Sequence, residues 1–512
     1  KNVENLQFSD KIHQLVAGTP EAEPAPAPAP DPTPAPEPIP QPVPEPDPTP
    51  EEPPMTGTVI QLKSGATQAD IQSAINNAKD GTTIVLPKDA YIKIAGALKV
   101  DASERDITLD LNGSTLKQAA NDSVIEAYGH HTWTKSASLG VSNGNTIVKL
   151  SSTPSDLHVG DWIKIVSDDS LPGSSSLNVR MGQAMQVTGI NGSTVTVKGQ
   201  LLNQSEYDTN IRVSLYESGD LTIRNGTVQG DQSQSTWKQG LVLLDTLIAP
   251  RIDNLTVRDN NSMAIAISDS VHAHVTDSVV KNLKDNTVNH NYGYGVLSKA
   301  SLGTLVEGLY AETVRHAIDS ANSAIPANYS DTGRYGADIG MTVRNAVAYT
   351  TTSSAYSWHS EANHATLENV QAFDSAKFAT LRGLHGTLKD SVGVNTDYGL
   401  QLYQYGNGDG RDMDVKNITL REVGSLGVYE SNGPSDIRID GSRFEAYKTP
   451  NALSSGTATI TDATFKLLGS GDADTMTGTG AGDKLFGGKG TDKLSGAGGN
   501  DQLWGGAGAD TQ

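Results

Sequence analysis

Short strand-like phrases recur along most of this chain of 512 residues. Between Thr82 and Phe465 they include "DLTIRNGTVQG", "RIDNLTVRDN", "MTVRNAVAYTT" and "GTLKDSVGVNT", and in each one alternating apolar residues precede a polar turn. Successive phrases lie roughly 20 to 30 residues apart, a spacing typical of solenoid coils. Each coil of a solenoid buries its inward side chains against the neighbouring coils. The pattern predicts an all-β chain in which residues 57–466 form a right-handed parallel β-helix.

Hairpin patterns are sparse outside one region, which argues against the alternative of a β-sandwich. In residues 143–213, "NG" turns separate alternating strands, as in "NGNTIVKL" and "VTGINGSTVTVKG". Such turns favour antiparallel pairing. We therefore expect a small antiparallel β insertion here. A short helix is expected over Thr67–Lys79, where Ile71, Ala74 and Ile75 have helical spacing.

Residues 21–56 are interpreted as a proline-rich linker. Pro alternates with small or acidic residues, as in "EPAPAPAPDPTPAPEP", which favours extended polyproline geometry and prevents a packed core. The alternative is a ligand for a proline-binding domain, which would need a partner rarely found outside cells.

The composition excludes several classes of function. The chain has no Cys, so disulfides, thiol catalysis and zinc–thiolate sites are ruled out. No apolar run is long enough to form a transmembrane segment. The net charge of −21 argues against nucleic acid as a partner, and an anionic substrate would need a local basic patch.

The last part of the chain has a shorter period. Its recurring acidic residues lie nine positions apart and are Asp474, Asp483, Asp492, Asp501 and Asp510. Gly permits the tight turns of such a repeat, and Asp supplies the hard oxygen ligands that Ca²⁺ prefers. A flexible glycine-rich tail is the alternative, but low complexity alone would not keep Asp and the apolar residues in phase. The spacing predicts that these five Asp residues bind calcium.

The unit "GGKGTDKLS" matches the consensus of the RTX nonapeptide, and residues 467–512 resemble a truncated set of RTX calcium-binding repeats that form a β-roll. The opening "KNVENLQFSD" resembles the strand that closes an RTX domain, so residues 1–20 are expected to end a preceding RTX module. The resemblance implies a secreted, extracellular protein that is exported by type I secretion. It also implies neighbouring RTX modules in a longer chain.

Coils of the β-helix can be aligned on the inward apolar residue that precedes each small turn. This inward column contains Val296, Ile318, Trp358, Leu381, Leu402 and Val428. The next residue in each coil points outward, because side chains alternate along a strand. Adjacent outward residues would lie about 5 Å apart. This outward column contains Leu297, Asp319, His359, Arg382, Tyr403 and Tyr429.

Four residues of the outward column form a catalytic assortment. Asp319 would orient His359, and His359 would act as a base near neutral pH. Arg382 would be a fixed cation and Tyr403 a second proton carrier. The alternative is an exposed ladder of salt bridges in which Asp319 pairs with His359 and Arg382. The residues expected to bind substrate beside this column are Lys299, Arg315, Glu361 and Tyr294.

A β-helix followed by RTX repeats resembles the secreted, calcium-dependent mannuronan C-5-epimerases and related polysaccharide lyases. The resemblance covers the architecture from Gly57 to Asp510, whereas the epimerase signature Tyr-Gly-Phe-Asp-Pro-His has no match, the nearest text being "YGYGVLSK". With the outward column, it implies an enzyme that removes the proton alpha to the carboxylate of an acidic polysaccharide. Two other functions stay open: a glycoside hydrolase that uses Asp319 and Glu361, and a non-enzymatic adhesin or matrix protein.

Overall fold

The computed structural model describes residues 5–8, 11–14, 57–174, 179–234, 240–287, 292–321, 335–405, 409–447, 449–453, 458–461, 463–469, 472–478, 480 and 482–512. The predicted linker at 21–56 lies outside these residues. The described residues contain no helix with the length and hydrophobicity needed to cross a bilayer. Most of their regular structure is β-strand in parallel ladders.

Parallel strand ladders form the three faces of a β-helix, which confirms the predicted fold class. The first face contains Val59–Gln61, Thr82–Val85, Ile107–Asp110, His274–Thr276, Leu305–Glu307, Thr342–Arg344, Thr366–Glu368, Thr387–Lys389, Arg411–Lys416, Ser435–Asp440 and Ala458–Thr461. The second face contains Tyr91–Ile94, Thr115–Gln118, Val279–Leu283, Tyr310–Glu312, Val347–Tyr349, Thr419–Val423, Arg443–Ala446 and Thr464–Leu468. Two strands run from the first face into the second, Leu221–Gln229 and Arg251–Asn260.

The third face is the one that carries the predicted site. It contains Leu98–Asp101, Ile125–Tyr128, Val242–Asp245, Ile265–Ser268, Tyr294–Lys299, His316–Ala321, Ser354–Trp358, Leu426–Ser431 and Thr449–Ala452. Two long strands bend from the second face into it, Gln371–Leu381 and Val392–Tyr403. A separate short parallel pair joins Asp338–Ile339 to Ala362–Asn363.

Inward side chains of the three faces form one continuous apolar core from Ile71 to Phe465. The turns between faces use Asn and Asp with left-handed backbone, such as Asn345 (φ 55°) and Asn369 (φ 50°). These two residue types tolerate positive φ better than other side chains do. Their side chains also stack, since Asn369 Nδ2 donates to Asn345 Oδ1 at 2.8 Å. The polar turns seen in the sequence are therefore the corners of the coils.

A short helix lies at one end of this core, as the sequence predicts. It spans Gln68–Asn77 and begins after Thr67, whose side chain accepts a hydrogen bond from the Asp70 N–H. Its buried residues are Ile71, Ala74 and Ile75. The helix covers the apolar end of the first coils.

The insertion is a closed antiparallel barrel with its own apolar core. It extends beyond the predicted segment 143–213 on both sides, because its first strand, "HHTWTKSASLGVS", precedes the first "NG" turn. The barrel strands are His130–Ser142, Asn145–Leu150, Trp162–Ser170, Arg180–Asn191, Thr194–Val197 and Arg212–Glu217, with a 3-10 helix at Gln204–Glu206.

The sheet of the second face continues directly into the C-terminal repeats. Thr464–Leu468 pairs with Asp483–Phe486, which pairs with Gln502–Trp504. Thr475–Thr477 and Lys493–Ser495 form a separate parallel pair. The apolar residues that fill the interior of this roll are Leu467, Met476, Leu485, Leu494 and Leu503.

The start of the chain lies beside the same roll. The strand Asn5–Phe8 pairs in parallel with Gln502–Trp504 and antiparallel with Lys11–Gln14. The backbone of residues 5–8 thus adds a strand to the end of the C-terminal sheet. The assignment of residues 1–20 to a preceding module stays a prediction.

A buried ionic cluster joins the barrel to the third face. Asp269, which follows the strand Ile265–Ser268, has no solvent exposure. Its Oδ1 accepts hydrogen bonds from Lys164 Nζ at 2.7 Å and Tyr216 Oη at 2.6 Å, and its Oδ2 lies 2.7 Å from His131 Nε2. Burial alone would raise the pKa of Asp269, but the charges of Lys164 and His131 lower it. The ionised carboxylate holds three barrel residues against the β-helix.

Asp269→Ala should destabilise the protein by about 3–5 kcal/mol, because it leaves the buried ammonium of Lys164 without its counter-charge. Denaturant unfolding followed by circular dichroism measures the loss. Asp156→Ala, at an exposed Asp of the same barrel, is the control and should stay within about 0.5 kcal/mol of the wild type. A loss as small as that of the control would contradict this role of the cluster.

Candidate functional site

The outer surface of the third face carries three neighbouring columns of side chains, which we call the third-face strip. Ladder pairing places residues of successive coils about 4.8 Å apart. The first column contains Tyr294, His316, Ser354, Lys377 and Tyr398; the middle column contains Leu297, Asp319, Ser357, Thr380, Gln401 and Tyr429; the third column contains Lys299, Ala321, His359, Arg382 and Tyr403.

The coil alignment used for the prediction is wrong by two residues at one junction. It matched Ile318 to Trp358, whereas the ladder pairs Ile318 with Tyr356 and Ser320 with Trp358. Both aromatic residues point into the core and are buried, so either one satisfies an inward apolar column. A shift of two residues leaves every side chain on the same face. His359 therefore still points outward, but it lies in the third column and not, as predicted, in the same column as Asp319.

A second junction has the same error. The prediction matched Leu402 to Val428, but the ladder pairs Leu400 with Val428 and Leu402 with Glu430. Leu400 and Leu402 are both fully buried, so the sequence offers two equivalent inward positions. Tyr403 consequently lies beside Ser431 and not beside Tyr429.

Asp319 and His359 are in contact across the strip. His359 Nε2 lies 3.1 Å from Asp319 Oδ2, and the His359 side chain is 31% exposed. Burial alone would raise the pKa of Asp319, but the charge of His359 and other positive neighbours lower it, so the group is a carboxylate. Neither oxygen of Asp319 has a hydrogen-bond partner among the described residues, so the contact with His359 is one of ion-pair distance. Nε2 of His359 faces the carboxylate, and Nδ1 is the ring nitrogen on the side away from Asp319.

The outward column had led us to expect a solvent-exposed Asp319. The residue is instead fully buried. Its neighbours along the strip explain the difference. Leu297 and Ala321 belong to a buried apolar cluster with Tyr294 on the outer side of the face. Asp319 therefore presents no surface of its own, whereas the neighbouring His359 is partly exposed.

Arg382 and Tyr403 are neighbours in the third column. Arg382 Nε donates to Trp358 O at 3.0 Å, and the guanidinium carbon lies 5.9 Å from the centre of the Tyr403 ring and 5.8 Å from that of Tyr405. Among the described residues, no carboxylate forms an ion pair with Arg382. Carbonyl and aromatic groups therefore hold the guanidinium, whose charge also helps to lower the pKa of the buried Asp319. The absence of an ion pair among these residues leaves its donors able to meet an anion.

Two of the predicted binding residues lie in the strip and are nearly buried. Tyr294 stacks on His316 with ring centres 5.1 Å apart, and burial raises the pKa of its hydroxyl well above the usual range. Lys299 is 6% exposed. Neither presents more than a small surface to a ligand.

The other two predicted binding residues lie outside the strip. Arg315 pairs with Asp285, with 2.7 Å between Nη1 and Oδ2, so its charge is compensated. Glu361 is buried, and its Oε1 accepts hydrogen bonds from Ser174 at 2.8 Å and Ser360 at 2.9 Å. Ser174 precedes the fourth barrel strand, so Glu361 lies at the contact between barrel and β-helix.

Two titratable residues of the first column were missed. Burial lowers the pKa of His316 to about 4, and its Nδ1 contacts Ser354 O, so the ring is neutral. Burial, helped by the charge of Arg382, lowers the pKa of Lys377 to about 8. Strict alternation could not find Lys377, because its strand bends between two faces and both Phe378 and Ala379 point inward there. A search for paired inward residues in long strands would have found it.

The C-terminal roll arranges its Asp residues in register. The Oδ1 atoms of Asp492, Asp501 and Asp510 accept hydrogen bonds from the backbone N–H groups of Asp474, Asp483 and Asp492, at 2.8, 3.0 and 3.0 Å. Each bond joins residues 18 positions apart, or two nonapeptides. The carboxylates are thus held at fixed positions on the turns.

Oxygen atoms converge between these turns. The Oδ2 atoms of Asp492 and Asp501 are buried and have no hydrogen-bond partner among the described residues. A Cβ atom placed on Gly478 would lie 2.7 Å from both Asp483 Oδ2 and Gly496 O. No three His, Asp or Glu side chains of the described part group together, so carbonyl oxygens would complete each site. Carboxylate and carbonyl oxygens are the ligand set of Ca²⁺, and the roll fits that ion.

Comparison with known proteins agrees with the description of the β-helix and with that of the C-terminal roll. Residues 468–503 and 477–512 match the model of the RTX calcium-binding nonapeptide repeat (4 copies), which confirms the predicted RTX repeats. Among curated proteins no sequence matches this chain.

Two solved structures share the fold of the β-helix. The tailspike protein gp49 from Pseudomonas phage LKA1 is 18% identical, with a TM-score of 0.56 over 86% of this chain and 74% of that chain. The Gp54 tailspike of Acinetobacter baumannii bacteriophage AP22, solved with A. baumannii capsular saccharide, is 12% identical, with a TM-score of 0.51 over 86% of this chain and 73% of that chain. At these identities the likeness shows the fold alone.

Removing calcium should unfold the C-terminal roll while the β-helix stays folded, because the Asp carboxylates would then repel one another without a counter-ion. Limited proteolysis with and without chelator measures this. Asp492→Ala should raise the calcium concentration needed for protection by roughly tenfold or more. Lys493→Ala, at the exposed side chain that follows Asp492, is the control. Unchanged protection after chelation would contradict a structural role for calcium.

Proposed function

We propose that this chain is a secreted, calcium-binding enzyme that acts on an acidic polysaccharide by removing the proton alpha to a uronate carboxylate. The observation that carries the proposal is the Asp319–His359 contact beside Arg382. The groups that this proton abstraction needs are a buried carboxylate, an imidazole with one nitrogen facing away from it and a guanidinium without an ion-pair partner among the described residues.

Each residue has a distinct part in the proposed reaction. His359 Nδ1 takes the proton from C5 of the sugar, while Asp319 holds the ring and stabilises its positive charge. The electron pair of the broken C–H bond moves into the carboxylate of the substrate, where Arg382 stabilises the added negative charge. Tyr403 is the proton donor at the other end of the same column.

Two outcomes follow from the same intermediate. If the C4–O bond breaks and Tyr403 protonates the leaving oxygen, the products carry an unsaturated end and the enzyme is a lyase. If C5 is protonated again from the opposite face, the chain stays whole and the enzyme is a C-5-epimerase. The groups of the strip serve both reactions.

A glycoside hydrolase is less well supported. That reaction needs two carboxyl groups flanking the scissile bond. Asp319 is the only carboxylate of the third-face strip as its residues are defined above, and Glu361 is held by Ser174 and Ser360. Asp338 is also buried; burial raises its pKa to about 6 although the hydroxyls of Ser320 and Ser298 donate to it. An adhesin would suit a smooth, uncharged surface, which the strip is not.

The RTX repeats suggest where the enzyme acts. Such repeats are typical of secreted proteins, and calcium outside the cell would order the roll at the end of the β-helix. We therefore propose an extracellular protein exported by type I secretion. Further RTX modules of a longer chain would be its covalent neighbours.

His359→Ala should lower turnover of a uronic-acid polymer by about 10²–10⁴-fold with the fold retained, because the proton acceptor is lost. Absorbance of unsaturated ends measures elimination, and NMR of the sugar protons measures inversion at C5. Arg382→Ala should raise KM as well as lower kcat, since the substrate carboxylate loses its counter-charge.

His158→Ala, at an exposed histidine of the barrel, is the matched control and should leave turnover unchanged. Wild-type turnover in His359→Ala would remove the base from the mechanism. If no uronic-acid polymer gives unsaturated ends or inversion, the proposed reaction is wrong and the adhesin becomes the first hypothesis.

A further inference from the structure

Lys377 is a half-buried cation with no carboxylate partner among the described residues. Its Nζ donates to Gln401 Oε1 at 2.5 Å and lies 5.8 Å from the centre of the Tyr429 ring. Both partners are neutral. A partly desolvated charge that lacks a counter-charge is unfavourable, and an anionic ligand would supply that counter-charge.

Two other shielded basic side chains are each paired with a carboxylate. Lys164 contacts Asp269, and Arg224 contacts Asp110 at 3.0 Å. Acidic residues are plentiful in a chain of net charge −21. The lack of one beside Lys377 is therefore a local feature of the strip, which Arg382 shares.

The position of Lys377 extends the strip beyond the proposed catalytic groups. Lys377 and Arg382 lie in the same coil on either side of Thr380, in the first and third columns. The Lys377 side chain reaches toward the next two coils, where it meets Gln401 and Tyr429. This direction leads away from Asp319.

Aromatic rings flank the ammonium group. Tyr398 follows Lys377 in the first column and is 42% exposed. Its ring centre lies 5.9 Å from that of Tyr429. Exposed aromatic faces bind the apolar C–H faces of sugar rings. The Gln401 amide positions the ammonium group, because its Oε1 also accepts from Thr380 Oγ1 at 3.2 Å and its Nε2 donates to Ser431 Oγ at 2.9 Å. The positioned cation and the ring together suit an acidic sugar.

We propose that Lys377, Gln401, Tyr398 and Tyr429 form a second subsite that binds the carboxylate and ring of a neighbouring acidic sugar, next to the residue held by Arg382. This inference rests on the proposed function, since it takes the substrate to be a polymer of acidic sugars. It adds that recognition requires at least two charged residues in a row.

Binding of uronic-acid oligomers, from dimer to hexamer, tests the subsite by calorimetry in the His359→Ala background, in which we expect turnover to be strongly slowed. Lys377→Met should weaken binding of the longer acidic oligomers about tenfold, a loss equal to one ion pair of moderate strength. Lys377→Arg should restore most of it. Oligomers whose carboxyl groups are reduced to alcohols should bind equally to all three proteins. Lys93→Met, at an exposed lysine of the β-helix, is the control and should bind like the parent.

Thermal unfolding separates a binding role from a structural one. Lys377→Met should unfold at the same temperature as the parent or higher, because it removes an uncompensated charge. Affinity of the parent for acidic oligomers should also fall as the pH rises through about 8, where Lys377 loses its proton. Lys377→Arg should not show this fall.

The outcomes distinguish the two proposals. Equal affinity of Lys377→Met and its parent for acidic hexamers overturns the subsite, whatever the result of the turnover assays. No binding of any acidic oligomer by the folded protein overturns it as well. If Lys377 contributes to binding but no elimination or inversion is found with the wild type, the subsite stands and the proposed reaction fails.

Discussion

Parallel stacking of coils is the constraint on which the rest of this structure depends. Backbone hydrogen bonds hold each strand one spacing from its equivalent in the next coil, and the inward side chains make one core from end to end. The same strand pairing determines which outward side chains are neighbours. Asp319 and His359 are 40 positions apart in sequence, yet the ladder places them within 3.1 Å. A site on such a surface needs no loop to assemble it.

This constraint also explains what the sequence could predict. Alternation of apolar and polar residues shows which side chains point outward, so the face of Asp319, His359, Arg382 and Tyr403 could be predicted correctly. Register along the coil could not, because Tyr356 and Trp358 are both inward and apolar, and so are Leu400 and Leu402. The physical cause is the same in both cases. A shift by two residues keeps the same side chains inward and changes only which residues of neighbouring coils are paired. The bend at Phe378 and Ala379 breaks the alternation itself, and it hid Lys377.

The alternation of residues along a strand also could not predict which charged groups are buried. Asp319 is outward in its coil but fully buried, since its neighbours Leu297 and Ala321 belong to an apolar cluster. Charges in this protein divide into two kinds as a result. Lys164 and Asp269 form a compensated pair that fixes the barrel. Arg382 and Lys377 form no ion pair with a carboxylate among the described residues, and the binding role proposed for them rests on that difference.

The same sheet carries the chain from the β-helix into the calcium repeats, so the two are not independent modules joined by a hinge. Phe444 stacks on Phe465 inside the last coils, with ring centres 5.6 Å apart, and Phe465 is paired in turn with Asp483 of the roll. Unpaired strand edges are prone to further association, and the end of a β-helix is such an edge. The ordered roll covers it with strands of its own. Calcium binding at the Asp carboxylates would thus have its mechanical consequence at the last coil of the β-helix, where the apolar core would otherwise end in water.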